Sequence, residues 1–295
     1  MDEAIESAIE VISSKCAFSV PDQGSRRKWD GPWWQLAILC EMGEVERIPR
    51  SAVDNALEQL KHGAWQKFVI TAHDAPQTEA DKGKLDLCHC ELGVFYMTLS
   101  ACGRDTDTEM PWIRRWFLKH QLSDGGLNCE PKAYLKSGKS SIVSSLPPLE
   151  AVLYFTDRDY TDAEKRFLDN GARYLIEHKL VCSKEDGSVV NQEWLKPLFP
   201  RFFEYDILRG LYYLTEWSRR RGKPLPKDVI EEGIERLKRF TRGQRIVIGR
   251  KVNDRNGEWN GPAFPLMESV SRVGQESPHL TKQLGSVLNA LAFSG

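Results

Sequence analysis

The sequence predicts an all-α chain: an α/α toroid of about five helical hairpins, with inner and outer helix rings, forming a single domain over residues 1–295. Three observations predict it. First, a repeat runs through the chain. Lys61-His62, Lys119-His120 and Glu177-His178 are spaced by 58 and 58 residues, Lys238-Arg239 holds a similar place further on, and each mark is followed by a glycine turn (Gly63, Asp124-Gly125-Gly126, Asp186-Gly187, Asn256-Gly257). A fixed period of this size means stacked or circularly arranged units. Second, one-sided amphipathic segments alternate with segments that are apolar almost all round. Third, strand signals are nearly absent; Arg245-Ile246-Val247-Ile248 is the one good candidate, short enough to be a local hairpin.

The elements follow in order. Residues 2–14 are acidic and amphipathic, an outer helix. Trp33 to Met42, Cys88 to Cys102, Ile142 to Phe155, Tyr205 to Trp217 and Leu280 to Phe293 are apolar around most of their circumference, as buried helices are. Residues 110–121 place Trp112, Ile113, Trp116 and Phe117 on one face. Thr161-Asp162-Ala163-Glu164 is a capping box, and Phe167, Leu168, Gly171, Ala172, Leu175 and Ile176 then form one apolar stripe. Residues 226–240 repeat that pattern with Val229, Ile230, Ile234, Leu237 and Phe240. The count is ten helices, alternately outer and inner.

Charge bounds the function. The 41 Lys+Arg against 42 Asp+Glu leave a net charge of −1, unlike a nucleic-acid binder that works by bulk electrostatics. No apolar run reaches the roughly 18–20 residues of a membrane span, so no transmembrane segment is expected. Met1 to Glu6 is acidic and lacks an apolar leader core, and the seven cysteines (16, 40, 88, 90, 102, 129 and 182) are odd and scattered. Both features read as cytoplasmic. Ala133 to Ser140 matches a relaxed phosphate-loop pattern without the strand that must precede it, so no ATPase is expected. His62, His120 and His178 end successive outer helices, where the helix dipole is account enough; they receive no chemistry.

Four clusters carry candidate chemistry. Asp86-Leu87-Cys88-His89-Cys90-Glu91 holds thiolate, imidazole and carboxylate, the zinc inventory. On a regular helix, consecutive residues i to i+2 fan over about 200°, so these side chains reach one ion only if the helix begins after them. Gly138-Lys139-Ser140-Ser141 opens an inner helix, either as an anion cradle with Lys139 and Ser140 or as a serine cap. In Pro200 to Arg209, Glu204 and Asp206 stand beside Arg201 and Arg209, and such charges must be paired or face a wet cavity. Trp29-Asp30-Gly31-Pro32-Trp33-Trp34 sets another acid and two large rings at the first inner helix.

Gln121-Leu122-Ser123-Asp124-Gly125-Gly126-Leu127-Asn128 between two helices, and the closing Gly274-Gln275-Glu276-Ser277-Pro278-His279-Leu280-Thr281, resemble the repeats of the protein prenyltransferase β-subunit and squalene-cyclase superfamily. The resemblance implies a toroid whose central cavity opens where the inner helices begin. It also implies a zinc ion on Asp86 and Cys88, with His279 from a later inner helix. Cys88-His89 is more loosely similar to the pair used by lanthionine-forming cyclases, which are also toroids. The Asp-x-Asp-Asp acid of class II terpene cyclases has no match: Asp157-Arg158-Asp159-Tyr160 lacks the last acid and lies in a turn.

The expected function is an enzyme acting on an isoprenoid-like or other small apolar or amphiphilic ligand with an anionic group. Trp33, Trp34, Tyr96, Tyr154, Phe202 and Tyr205 would line its cavity, and Lys139, Ser140, Arg201 and Arg209 would hold the anion at the N-terminal rim of the inner helices. Zinc, or else Asp30, Glu204 or Asp206 as acid–base groups, would do the chemistry. The alternative is a non-catalytic module that binds a ligand or peptide on the same concave face. The sequence leaves the oligomeric state open.

Overall fold

The computed structural model describes residues 1–18, 31–63, 65–67, 69–70, 74, 85–135, 138–252 and 264–293. Of these, 61% are helical and 5% strand. In chain order come α1 (Asp2–Ser13), α2 (Pro32–Met42), α3 (Arg50–His62), β1 (Trp65–Lys67), β2 (Leu85–Leu87), α4 (His89–Ala101), α5 (Thr106–Glu109) and α6 (Trp112–Lys119). They are followed by α7 (Lys132–Leu135), α8 (Ile142–Tyr154), α9 (Asp162–Glu177), α10 (Ile207–Arg221), α11 (Lys227–Leu237), β3 (Thr241–Arg242), β4 (Arg245–Ile246), α12 (Pro265–Val270) and α13 (Pro278–Phe293).

Local chemistry sets most of these limits. Pro32 begins α2, where a missing N–H costs nothing, and Gly43 ends it in the left-handed region at φ +81. Thr161 and Glu164 close the expected capping box on α9. Asp206 caps α10 through the amide of Arg209. The five segments expected to be buried are α2, α4, α8, α10 and α13, and they touch in that succession; α1 packs on α2, α9 on α8 and α10, and α11 on α10.

Neighbouring inner helices run parallel. Trp33 stacks on Phe95 and Cys40 meets Cys102, in the same order along α2 and α4. Arg209 binds Glu150, and Arg220 reaches the Leu153 carbonyl, in the same order along α10 and α8. The closest approach is between α4 and α8. A Cβ on Gly93 would lie 2.6 Å from the Pro147 carbonyl carbon and 2.7 Å from the Pro148 nitrogen, both backbone atoms inside α8. Backbone cannot swing aside as a side chain can. Gly93→Ala is therefore expected to destabilise the protein by about 1–3 kcal/mol in urea unfolding; a change within about 0.5 kcal/mol would show that the two helices separate freely.

Some details differ from expectation. The hairpin around residue 246 is there as β3–β4, but β1 and β2 form a parallel pair that no alternation announced. The short helices α5, α7 and α12 were also not foreseen. Among the described residues, aromatic rings pack together near the starts of α2 and α10: Trp33 stacks on Phe95 at 4.1 Å, and Trp34 packs edge-on against Phe202 at 5.0 Å and Phe203 at 5.7 Å.

Candidate metal centre and central cavity

The Gln-x-x-Asp-Gly-Gly turn is what assembles the cysteine cluster. Gln121 donates to the carbonyls of Gly125 and Phe167 and accepts from Asn170, which ties the turn to α9. Gly125 sits at φ +103, where a side chain would be strained. Asp124 accepts from the amides of Gly126 and Ser140 and from the Ser140 hydroxyl, joining the turn to the start of α8. The chain then runs beside α8: Leu127 donates to the Ser145 hydroxyl and Cys129 to the Ser144 hydroxyl. That path delivers Cys129 to the first turn of α4.

There three thiols converge. Sulfurs of Cys88, Cys90 and Cys129 all lie within 4.8 Å of one another, with Cys88–Cys90 at 3.1 Å and Cys90–Cys129 at 3.6 Å. Cys88 precedes the helix in an extended conformation, so its sulfur turns back over Cys90 instead of fanning away. The Glu91 carboxylate accepts from the Cys88 amide and stands 3.4 Å from the Cys88 sulfur. Burial alone would raise the Cys129 thiol, but its hydrogen bonding with Cys88 and Cys90 outweighs it and holds Cys129 well below the usual thiol range. The cost falls on Cys88, raised by its bonds to Cys129 and Cys90. His89, buried among Trp116, Phe117, His120 and Tyr134, is pushed down to about 4 by desolvation and is neutral.

This trio replaces the expected ligand set. Asp86 is exposed on β2, and His279 is stacked on Phe199 at 4.8 Å; among the described residues neither belongs to the group of three ligand-type side chains around Cys88. Cys129 was read as one of the scattered cysteines because 39 residues separate it from Cys90. Its only sequence signal is its place just after the Asp-Gly-Gly turn. His120, set aside as a helix end, in fact lies with its ring centroid 6.1 Å from that of His89.

The inner helices share a second feature, a cavity of about 200 Å³. Its wall takes Ala37, Cys40 and Glu41 from α2, the 94/97/98/101 face of α4, Glu150 and Tyr154 from α8, Arg201 and Phe202 from the turn before α10, Arg209 from α10, and Gln283 from α13. On α4, Val94, Met97, Thr98 and Ala101 stand at i+4, i+7, i+8 and i+11 from Cys90. The thiol cluster thus heads the same helical stripe that lines the cavity.

The cavity's charges are closed on each other. Arg209 binds both Glu150 oxygens and the carbonyls of Phe202 and Glu204. Arg201 grips Asp206 through Nε and Nη2 and donates to Gln283. Glu41 accepts the amides of Arg201 and Phe202, fixing Phe202 at φ +51, and burial raises its carboxyl.

Other expected site residues fall elsewhere. Asp206 is fully buried and takes donors from Leu198, Arg201 and Arg209, a structural anchor with no free face for acid–base work. Glu204 pairs with Arg250. Ser140 spends its amide and hydroxyl on Asp124, and Lys139 pairs with Glu185, so a protein carboxylate already fills the expected anion cradle; both line a separate groove beside Tyr174 and Trp194. Tyr96 donates to Asp107 and accepts from Arg114. Trp33, Trp34 and Tyr205 are core, Tyr205 donating to the Leu180 carbonyl. Tyr154, Phe202, Arg201 and Arg209 do line the cavity. Asp30 lies outside the described residues. No pocket of the described residues gathers three of the clusters; the cavity takes its lining from the C-terminal halves of α2, α4 and α8 and from Arg201, Phe202, Arg209 and Gln283 at the N-terminal side of α10 and α13. No helix of the described residues is long and apolar enough to cross a membrane.

Comparison with known proteins adds nothing to this geometry. No family model, curated protein or solved structure matches the chain.

Proposed function

We propose that the chain is a zinc-thiolate enzyme of the prenyltransferase-like toroid type, with the metal on Cys88, Cys90 and Cys129 and a small apolar or amphiphilic molecule as substrate. One observation carries this: three thiols brought together at the head of the α4 stripe that lines the cavity. The donor set fits. Tetrahedral zinc with bonds near 2.3 Å spaces its thiolates by about 3.8 Å. Cys90–Cys129 at 3.6 Å is already there, and Cys88–Cys90 at 3.1 Å needs only a small rotamer change. Cys129, the most acidic of the three, supplies the first thiolate.

Cys88, Cys90 and Cys129 would hold the zinc, and with only three protein ligands it would supply an activated water or thiol. The chain's own residues do the rest. The Ser144 hydroxyl and the Glu91 carboxylate orient Cys129 and Cys88 through their amides. Val94, Met97 and Phe202 offer apolar surface to the substrate. Because Arg201 and Arg209 are neutralised by Asp206 and Glu150, the cavity favours an apolar body over an anionic head. Succession of the inner helices around one cavity supports the toroid.

The Glu91 contact favours a second reading, in which the carboxylate closes the site and the zinc is structural in a binding module. Metal analysis of the purified chain tests the first step: about one zinc per chain is expected, lost in Cys90→Ala and Cys129→Ala and kept in Cys16→Ala. Absence of stoichiometric zinc even after reconstitution would refute both readings. In cobalt-substituted protein, a small added thiol should shift the visible spectrum if the fourth position is open; an unmoved spectrum favours the closed site.

A further inference from the structure

We infer that Cys40 and Cys102 form an oxidisable dithiol, a modification site that a peroxide-class oxidant closes to a disulfide between α2 and α4. The pair is independent of the metal proposal and uses none of its residues. Cys40 stands in the last turn of α2 and Cys102 caps the end of α4, with their sulfurs 3.5 Å apart. Both are half-buried free thiols. Cys102 is itself partly exposed, and Cys40 lies in the cavity wall 3.5 Å from it, so a molecule as small as peroxide can approach the pair.

The two thiols are not equivalent. A hydrogen bond from Cys40 lowers Cys102 against the opposing effect of burial. Cys40 is raised well above the usual thiol range by that same bond, by burial and by the charge of Glu41. Nucleophilic attack on an oxidant belongs to the thiolate, which assigns Cys102 the first step and Cys40 the resolving step.

The chemistry balances. The Cys102 thiolate attacks one peroxide oxygen, the O–O bond breaks, and sulfenic acid forms with release of hydroxide. Cys40 sulfur then attacks the Cys102 sulfur; the S–O bond breaks and the departing oxygen leaves as water with the Cys40 proton. Two thiols are oxidised by two electrons and one peroxide is reduced to two waters, counting the proton released when Cys102 ionised. The sulfurs must approach from 3.5 Å to about 2.05 Å, a movement of about 1.5 Å within reach of side-chain rotation and a slight shift of two helix ends. The remaining cysteines are placed differently. Cys88, Cys90 and Cys129 form a separate thiol cluster at the start of α4, Cys182 is buried beside Arg236, and Cys16 is exposed.

The bond would join positions 62 residues apart and pin two cavity-lining helices together. The experiment uses the full chain as purified, with its metal. It is treated with a small excess of hydrogen peroxide, free thiols are blocked, and the digest is read by mass spectrometry. A Cys40–Cys102 linked peptide should be the main cross-link, and the urea midpoint should rise by about 1 M and fall back with dithiothreitol. Cys40→Ser should leave a sulfenic acid on Cys102 that dimedone traps, while Cys102→Ser should leave none on Cys40. Recovery of both cysteines as free thiols, or dimedone on Cys40 instead of Cys102, would overturn the assignment. Cys40→Ala provides the same trapping test if the serine variant folds poorly.

Discussion

Arg209→Met is expected to cost about 3–5 kcal/mol of folding stability, the largest loss from any single side chain in the cavity wall. Arg209 is buried, and four of its five N–H groups serve Glu150 and two backbone carbonyls. Removing it leaves the Glu150 carboxylate buried without its cation and the carbonyls of Phe202 and Glu204 without a donor. The penalty is thus mainly that of the group left behind, not the net worth of the pair. The double variant Arg209→Met, Glu150→Met should recover most of the loss, since two apolar side chains of similar volume leave no orphaned charge. Urea unfolding of both variants decides it. A double variant as unstable as the single one would mean that the damage comes from packing.

Acid unfolding should report on Glu164. This carboxylate is almost fully buried and accepts from Arg158, from the Thr161 amide and from Arg114. Burial pushes its pKa up, but those donors prevail and bring it from the ordinary 4.5 down to about 2. A carboxyl depressed in the folded state binds its proton more readily when unfolded. Its stabilisation is therefore complete above about pH 4.5 and is lost as pH falls toward about 2. The loss should amount to about 2–3 kcal/mol. Other carboxylates lowered by their partners, such as Glu109 and Glu216, also titrate there, so the informative quantity is a difference. Glu164→Gln should be less stable at pH 7 and should lose less between pH 5 and pH 2.5 than the parent. Parallel stability curves would show that Glu164 is not depressed.

The unequal legibility of the two sites has a physical cause. Cys88 and Cys90 stand two apart at a helix start, so two of the three thiols could be read along the chain, and the resemblance pointed to Cys88 of them. The remaining ligand could not be read that way. Asp86 and His279 were offered by the motif, whereas Cys129 arrives through a turn whose hold on α9 and α8 depends on Gln121, Asp124 and two serines. The charged cluster before α10 was legible as charges but not as a network. Glu41, Glu150 and Gln283, which complete it, come from helices 59 to 161 residues away along the chain.

By itself the sequence determined where the long helices lie and that α2, α4 and α8 are buried; α13, also expected to be buried, buries only Leu280, Leu284 and Val287. Apolar periodicity, capping residues such as Thr161 and Asp206, and the glycine turns act within a few residues of where they are written. The tertiary structure alone decided which polar groups meet. It closed the Arg201 to Arg209 charges on carboxylates, packed Trp33 against Phe95 and Trp34 against Phe202, and built the cavity wall from five helices. Such pairings depend on distances of a few ångströms between segments that share no local signal: a buried charge is a catalytic candidate until its partner is known, and the partner is a property of the fold.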